Sequence, residues 1–105
     1  MATAVRHNIG VVALVFNDNA YGNVKRIQQT NYAGRTVASD LTNPDFVKLA
    51  ESFGMRSQRV TTPQALRPAL KAAIKANAPA LIEIPVGEFP DPWSFFFRKK
   101  VRGAA

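Results

Sequence analysis

Apolar and polar positions along the chain change period several times, and each change marks an element. Residues 11–16, Val-Val-Ala-Leu-Val-Phe, form an unbroken apolar run rich in β-branched side chains, the pattern of a short strand covered on both faces. The run stops abruptly at Asn17, Asp18 and Asn19, and Gly22 lets the backbone turn into a following helix. Residues 1–8 read as the last turns of a helix closing near Asn8 and Gly10. Residues 23–32 carry Val24, Ile27 and Tyr32 among Lys25, Arg26, Gln28 and Gln29, a weak one-sided helical pattern. Residues 33–42 have no period and read as a connection.

Asn43-Pro44 is expected to open the next helix, with Asn43 as N-cap, Pro44 in the first turn and Asp45 at the positive end of the dipole. Phe46, Val47, Leu49, Ala50 and Phe53 give that helix a buried face, and Gly54 ends it. A short, partly polar strand is expected near 56–60. Thr62-Pro63 repeats the cap-plus-proline signal, and Leu66, Leu70, Ala73 and Ile74 form an apolar stripe reaching about Ala76. Pro68 interrupts it, and predicts either a kink or a helix whose effective start is residue 68. Residues 79–86, Pro-Ala-Leu-Ile-Glu-Ile-Pro-Val, read as a strand between prolines, with Glu83 directed out of the core or toward a partner. The alternation predicts an α/β fold with parallel strands near 11–16, 56–60 and 80–85, joined by helices as right-handed crossovers.

Length and composition narrow the class. A chain of 105 residues with 47% hydrophobic content is one globular domain at most. No apolar run approaches the roughly 20 residues of a membrane helix. With no cysteine, disulfides and thiolate zinc sites are excluded. Residues 1–10 lack the apolar core of a secretory signal, so a cytoplasmic protein is expected. The net charge of +7 raises nucleic acid as a partner. Most basic residues are scattered, however, apart from Arg98, Lys99, Lys100 and Arg102 at the C-terminus, and no nucleic-acid-binding motif is present, so no specific nucleic-acid partner is expected. His7, alone and near a helix end, reads as a surface or capping residue without a catalytic role.

The candidate chemistry sits where the first strand stops. In an open parallel sheet, ligands bind beyond the carboxyl ends of the strands, and Asn17, Asp18 and Asn19 present hard oxygen ligands there. The same residue types also make ordinary solvated turns. Asn17-Asp18-Asn19-Ala20-Tyr21-Gly22 resembles the closing half of the cofactor motif of thiamine-diphosphate-dependent enzymes, in particular the acetolactate synthase and 2-oxo acid decarboxylase group. The resemblance runs on through residues 2–7, 40–46 and 79–85. It implies that the chain is the latter half of a thiamine-diphosphate-binding domain, a partial parallel-sheet sandwich. It further implies that Mg²⁺ is held by the Asp18 side chain and the Ala20 carbonyl, with Asp18 standing where Asn is commoner. Asn17 would order the loop, and the helix start at Gly22 would face the diphosphate. Tyr21 would either cover the cofactor or simply pack.

The opening half of that motif, Gly-Asp-Gly, would fall roughly one helix before Met1, so a fragment or an internal start is expected. The family's cofactor-activating glutamate comes from another domain, and Glu83 is not its equivalent. Residues 1–90 are therefore read as the partial cofactor domain and 91–105 as an aromatic and basic tail, with Trp93 and Phe97 bounding a cluster suited to an interface. The partners implied are the cofactor, the remainder of the enzyme chain and, in the full-length form, a second copy. The alternative is a fold remnant or interaction module that binds no cofactor.

Overall fold

The computed structural model describes residues 1–97 and contains a three-stranded parallel sheet in the order β1-β3-β2. The elements run α1 (Ala2–Arg6), β1 (Val12–Asn17), α2 (Gly22–Asn31), α3 (Phe46–Ser52), β2 (Arg56–Arg59), α4 (Pro63–Ala76), β3 (Ala80–Pro85) and α5 (Trp93–Phe96). The last strand in sequence is thus central in space. Its register aligns Leu81 with Ala13 and Ser57, and Glu83 with Val15 and Arg59.

Side chains alternate across a strand, so the sheet has two distinct faces. Leu81 joins Ala50 and Met55 in the core, with Val5, Ala13, Val15 and Phe46 packed around them on the side of α3. Ser57 Oγ donates to the Val47 carbonyl from the same face. Ala80 and Ile82, out of phase by one residue, share a shallow cleft with Ala72 and Ala73 of α4. Leu81 and Ile82 are almost fully buried, and each contributes about 1.5–3 kcal/mol by leaving water.

Coverage differs from expectation at β1. Leu14 and Phe16 are exposed, so β1 is an edge strand covered mainly on the α3 side, and the doubly covered strand is β3. An apolar run is compatible with either position, because composition does not say which neighbour completes the sheet. α2 likewise buries none of its residues, and Val24, Ile27 and Tyr32 remain exposed.

The N-cap of α3 is Asp45, not Asn43, and the helix begins at Phe46. The Asp45 carboxylate accepts from the backbone N–H groups of Val47 and Lys48, which puts a full negative charge at the positive end of the dipole. Asn43 is instead drawn away to Asn17, its Nδ2 donating to Asn17 Oδ1 at 2.8 Å. α4 starts at Pro63 under a Thr62 cap and runs unbroken past Pro68 to Asn77, which closes it in the left-handed conformation, so its start is not residue 68. Its inward stripe is Leu66, Leu70 and Ala73, while Ile74 is exposed.

The first consequence concerns Pro68. As the sixth residue of α4 it cannot donate to the Gln64 carbonyl, so Pro68→Ala should raise stability by about 1–3 kcal/mol, read as a higher melting temperature. No rise would mean that residues 63–67 are not helical in solution. A second consequence concerns acid. The carboxyl of Asp45 is held below its ordinary value of 3.8, chiefly by the Lys48 N–H and then by the Arg59 guanidinium. A depressed folded-state value stabilises above the unfolded value and is lost as pH falls through the folded one. The stability advantage of the wild-type chain over Asp45→Asn, which keeps a neutral cap, should therefore be full near about pH 6 and shrink as pH falls below 3.8 and on through the depressed folded-state value. A difference in melting temperature independent of pH would refute it.

Candidate functional site

The carboxyl end of β1 delivers Asn17 and Asp18 to the start of α2, and local hydrogen bonds determine how. Asn17 Oδ1 accepts from the Asn19 N–H at 3.1 Å, and Asp18 Oδ1 accepts from the Ala20 N–H at 3.1 Å. These consecutive side-chain-to-backbone bonds shape the loop, in which Asn19 takes a positive φ of 52°. The loop is held from outside by a short antiparallel bridge: Tyr21 N–H donates to the Ser39 carbonyl, and Leu41 N–H to the Asn19 carbonyl. Ser39 is buried by this pairing, and its hydroxyl has no hydrogen-bond partner among the described residues.

Gly22 leaves room for the Asp18 carboxylate. A Cβ at residue 22 would stand 2.5 Å from Asp18 Oδ2, so the carboxylate occupies the space that a side chain would fill, against the N-terminal turn of α2. The loop, α2 and residues 87–93 enclose a cleft of about 810 Å³. Asp18, Ala20, Gly22, Asn23, Lys25 and Arg26 line one side, and Phe89, Pro90, Pro92 and Trp93 contribute to the other. Arg26 Nη1 lies 3.1 Å from Asp91 Oδ1 and ties the two sides together. Trp93 packs near-parallel to Phe97 with ring centroids 6.0 Å apart, Phe96 meets both Trp93 and Phe95, and all three phenylalanines are largely exposed.

Charge in the cleft is mixed. Lys25 Nζ meets Asp40 Oδ1 at 2.6 Å, and that hydrogen bond, with smaller contributions from Glu88 and Asp18, raises the lysine above its ordinary value. Among the described residues, no group of three or more His, Cys, Asp and Glu side chains is placed to hold a metal ion by itself. A single carboxylate beside backbone oxygens and a helix N-terminus suits Mg²⁺, which takes few protein ligands and shares its shell with phosphates and water.

Of the residues singled out in the sequence, Asp18, Ala20 and Gly22 line the cleft, whereas Asn17 and Tyr21 do not. Asn17 sits behind the loop as an organiser. Tyr21 caps α2 and is 58% exposed, so it is not packed in the chain as it stands. The residue missed in the sequence is Glu83. It is 3% exposed rather than directed outward, and its Oε1 accepts from Asn17 Nδ2 at 3.0 Å while Oε2 accepts from Arg59 Nε at 2.8 Å. A carboxylate within an otherwise apolar central strand was the available signal, since buried charge requires partners. The cluster Arg98, Lys99, Lys100 and Arg102 lies outside the described residues.

The arrangement is that of an α/β domain offering a cleft beyond the carboxyl end of a parallel strand, floored by a helix N-terminus. The chain belongs to the family of the thiamine pyrophosphate enzyme, C-terminal TPP binding domain, which matches residues 1–84. It is 41% identical over 86 residues to an acetolactate synthase of Bacillus subtilis, covering 82% of this chain and 15% of that protein. It is also 36% identical over 84 residues to a mitochondrial acetolactate synthase catalytic subunit of Aspergillus candidus, covering 80% of this chain and 12% of the relative. Among solved structures, a thiamine diphosphate-dependent 4-hydroxybenzoylformate decarboxylase of Rhodococcus jostii superposes with a TM-score of 0.76 at 32% identity, over 86% of this chain and 17% of that one. The chain thus corresponds to a small part of the length of its relatives, and the reading as a remnant unrelated to cofactor binding is not favoured. Among the described residues no helix is long and apolar enough to cross a membrane.

Because the Asp18 carboxylate fills the space above Gly22, Gly22→Ala should displace it without unfolding the chain. Alanine is the better helix residue by about 1 kcal/mol, and the atom that must move is the end of a side chain. Faster amide exchange at Ala20 with an unchanged melting temperature is the expected result. Unaltered exchange at Ala20 would show that Asp18 can yield while keeping its backbone bond.

Proposed function

We propose that this chain supplies the diphosphate- and metal-facing part of a thiamine-diphosphate site in an enzyme acting on 2-oxo acids, of acetolactate synthase or decarboxylase type. The observation that carries the reading is the Asp18 carboxylate, turned back over Gly22 at the N-terminus of α2 inside the cleft. In this reading the Asp18 side chain and the Ala20 carbonyl hold Mg²⁺, and the first N–H groups of α2 with Gly22 receive the diphosphate. Asn17 keeps the loop in shape, and Tyr21, exposed beside the loop and outside the cleft lining, would have to turn toward the cleft to cover bound cofactor. Thiamine diphosphate, when bound, would supply carbanion chemistry toward a substrate carbonyl, and the residues of this chain would contribute its binding and orientation.

The division of labour follows from the residues present. Asp18 is the carboxylate nearest the loop and neutralises part of the metal's charge. Lys25 and Arg26 bring positive charge to the cleft wall, but each is already paired, Lys25 with Asp40 and Arg26 with Asp91. Their role is to hold the walls rather than to meet the phosphates directly. Trp93 and Pro92 exclude water from the outer side, residues 1–90 act as the cofactor domain and 91–105 as a tail. Activation of the cofactor and recognition of substrate fall to the remainder of a longer, homo-oligomeric, cytoplasmic enzyme, with no specific nucleic-acid partner.

Calorimetric titration of the chain with thiamine diphosphate, with and without Mg²⁺, tests the reading. Saturable binding that requires Mg²⁺ and weakens about tenfold or more in Asp18→Ala is expected, since even indirect supports of a metal commonly contribute that much. Absence of binding, or binding indifferent to both Mg²⁺ and Asp18, would overturn it.

A further inference from the structure

Resting on the reading of the 17–22 loop as a cofactor loop, we propose that Glu83 is the positioning residue for that loop, acting through Asn17. Glu83 lies on the central strand, in register with Val15 on one side and Arg59 on the other. Side chains two residues apart share a face, so Asn17 projects from the same side of the sheet as Val15 and meets the Glu83 carboxylate. That carboxylate, ionised against Arg59, accepts hydrogen bonds only. It dictates which way the Asn17 amide faces. With Nδ2 turned to Glu83, Oδ1 must face the other way, where it accepts from both the Asn19 N–H and Asn43 Nδ2. Reversing the amide would set a donor against two donors and the oxygen against the carboxylate.

The orientation reaches the cofactor side of the loop in one further step. The Asn19 N–H bonded to Asn17 belongs to a residue at φ 52°, a conformation that L side chains other than Asn and Asp seldom adopt. Its neighbours are Asp18 and Ala20. On the far side, Arg59 Nη2 lies 3.1 Å from Asp45 Oδ1, which also caps α3. Glu83 is therefore the point where the end of β1, the end of β2 and the start of α3 are set relative to one another, and the loop inherits that setting.

The experiment uses amide exchange and side-chain NMR on the whole chain, without ligand. In Glu83→Leu the Asn19 N–H should exchange about tenfold faster relative to the Ile82 amide of the central strand, the size expected for one charge-assisted hydrogen bond. Asn17→Ala should do the same, and the double variant no more than either. Glu83→Gln, which still offers an oxygen to Asn17, should restore wild-type exchange at Asn19 and the Asn17 side-chain amide signals. Equal acceleration at Asn19 and Ile82, additive effects in the double variant, or failure of Gln to restore the loop would each make Glu83 merely structural and overturn the proposal. If Glu83→Leu does not fold, Glu83→Gln and Asn17→Ala decide by the same criteria. A parallel titration with Mg²⁺ and thiamine diphosphate separates the two readings. No binding by the wild type counts against the cofactor loop, while the exchange data still decide what Glu83 does to it.

Discussion

A buried carboxylate in the middle of a three-stranded sheet is the constraint on which this structure turns. Glu83 is 3% exposed on the strand that also carries Leu81 and Ile82, the largest fully buried apolar side chains among the described residues. Apolar burial of this kind is tolerant of small shifts, because it has no direction. A buried charge is not tolerant, since several kcal/mol of desolvation must be offset by partners at the right distance. Arg59 from β2 and Asn17 from β1 are those partners, and both are fixed to within a hydrogen bond. The guanidinium of Arg59, bound first to Glu83 and then to Asp45, is held above its ordinary value and remains a cation at every relevant pH.

From that point outward the structure becomes progressively more open. The core is small, centred on Ala50, Met55 and Leu81, and α2 buries nothing on its own account. The radius of gyration, 18.7 Å, exceeds the roughly 13 Å of a compact chain of this length. Exposed Leu14, Phe16, Val24 and Ile27 lie along β1 and α2, the elements that flank the cleft. Such surface is in keeping with a chain that spans 12–15% of the acetolactate synthases it matches, in which other segments are available to cover it. Order at the loop therefore rests on directional polar contacts: the Asn17 and Asp18 bonds to backbone, the bridge to Ser39 and Leu41, and the support behind Asn17.

Much of this was legible in the residues themselves. An apolar run ended by Asn17 and Asp18, a Thr62-Pro63 start and an apolar stretch between Pro79 and Pro85 each depend on local chemistry, and local chemistry placed all three strands within a residue or so. The candidate loop was visible for the same reason, because Asp18, Ala20 and Gly22 lie within five residues and the Ala20 N–H to Asp18 bond that shapes it is local. What local chemistry could not decide was which strand would be central. The order β1-β3-β2 is a property of the folded sheet, and it alone makes β3 the doubly covered strand and leaves Leu14 and Phe16 in the open. The same order put Arg59 and Asn17, 24 and 66 residues from Glu83 in the chain, on either side of it. Asn43 lost its place as a helix cap because α3 starts at Phe46 under Asp45, and its amide reaches Asn17 of β1 instead. Sequence determined the elements and the local turn of the loop, where Asn17 and Asp18 bond to backbone two residues on. Tertiary structure decided which polar groups were buried, because a buried donor or charge must find its partner in space.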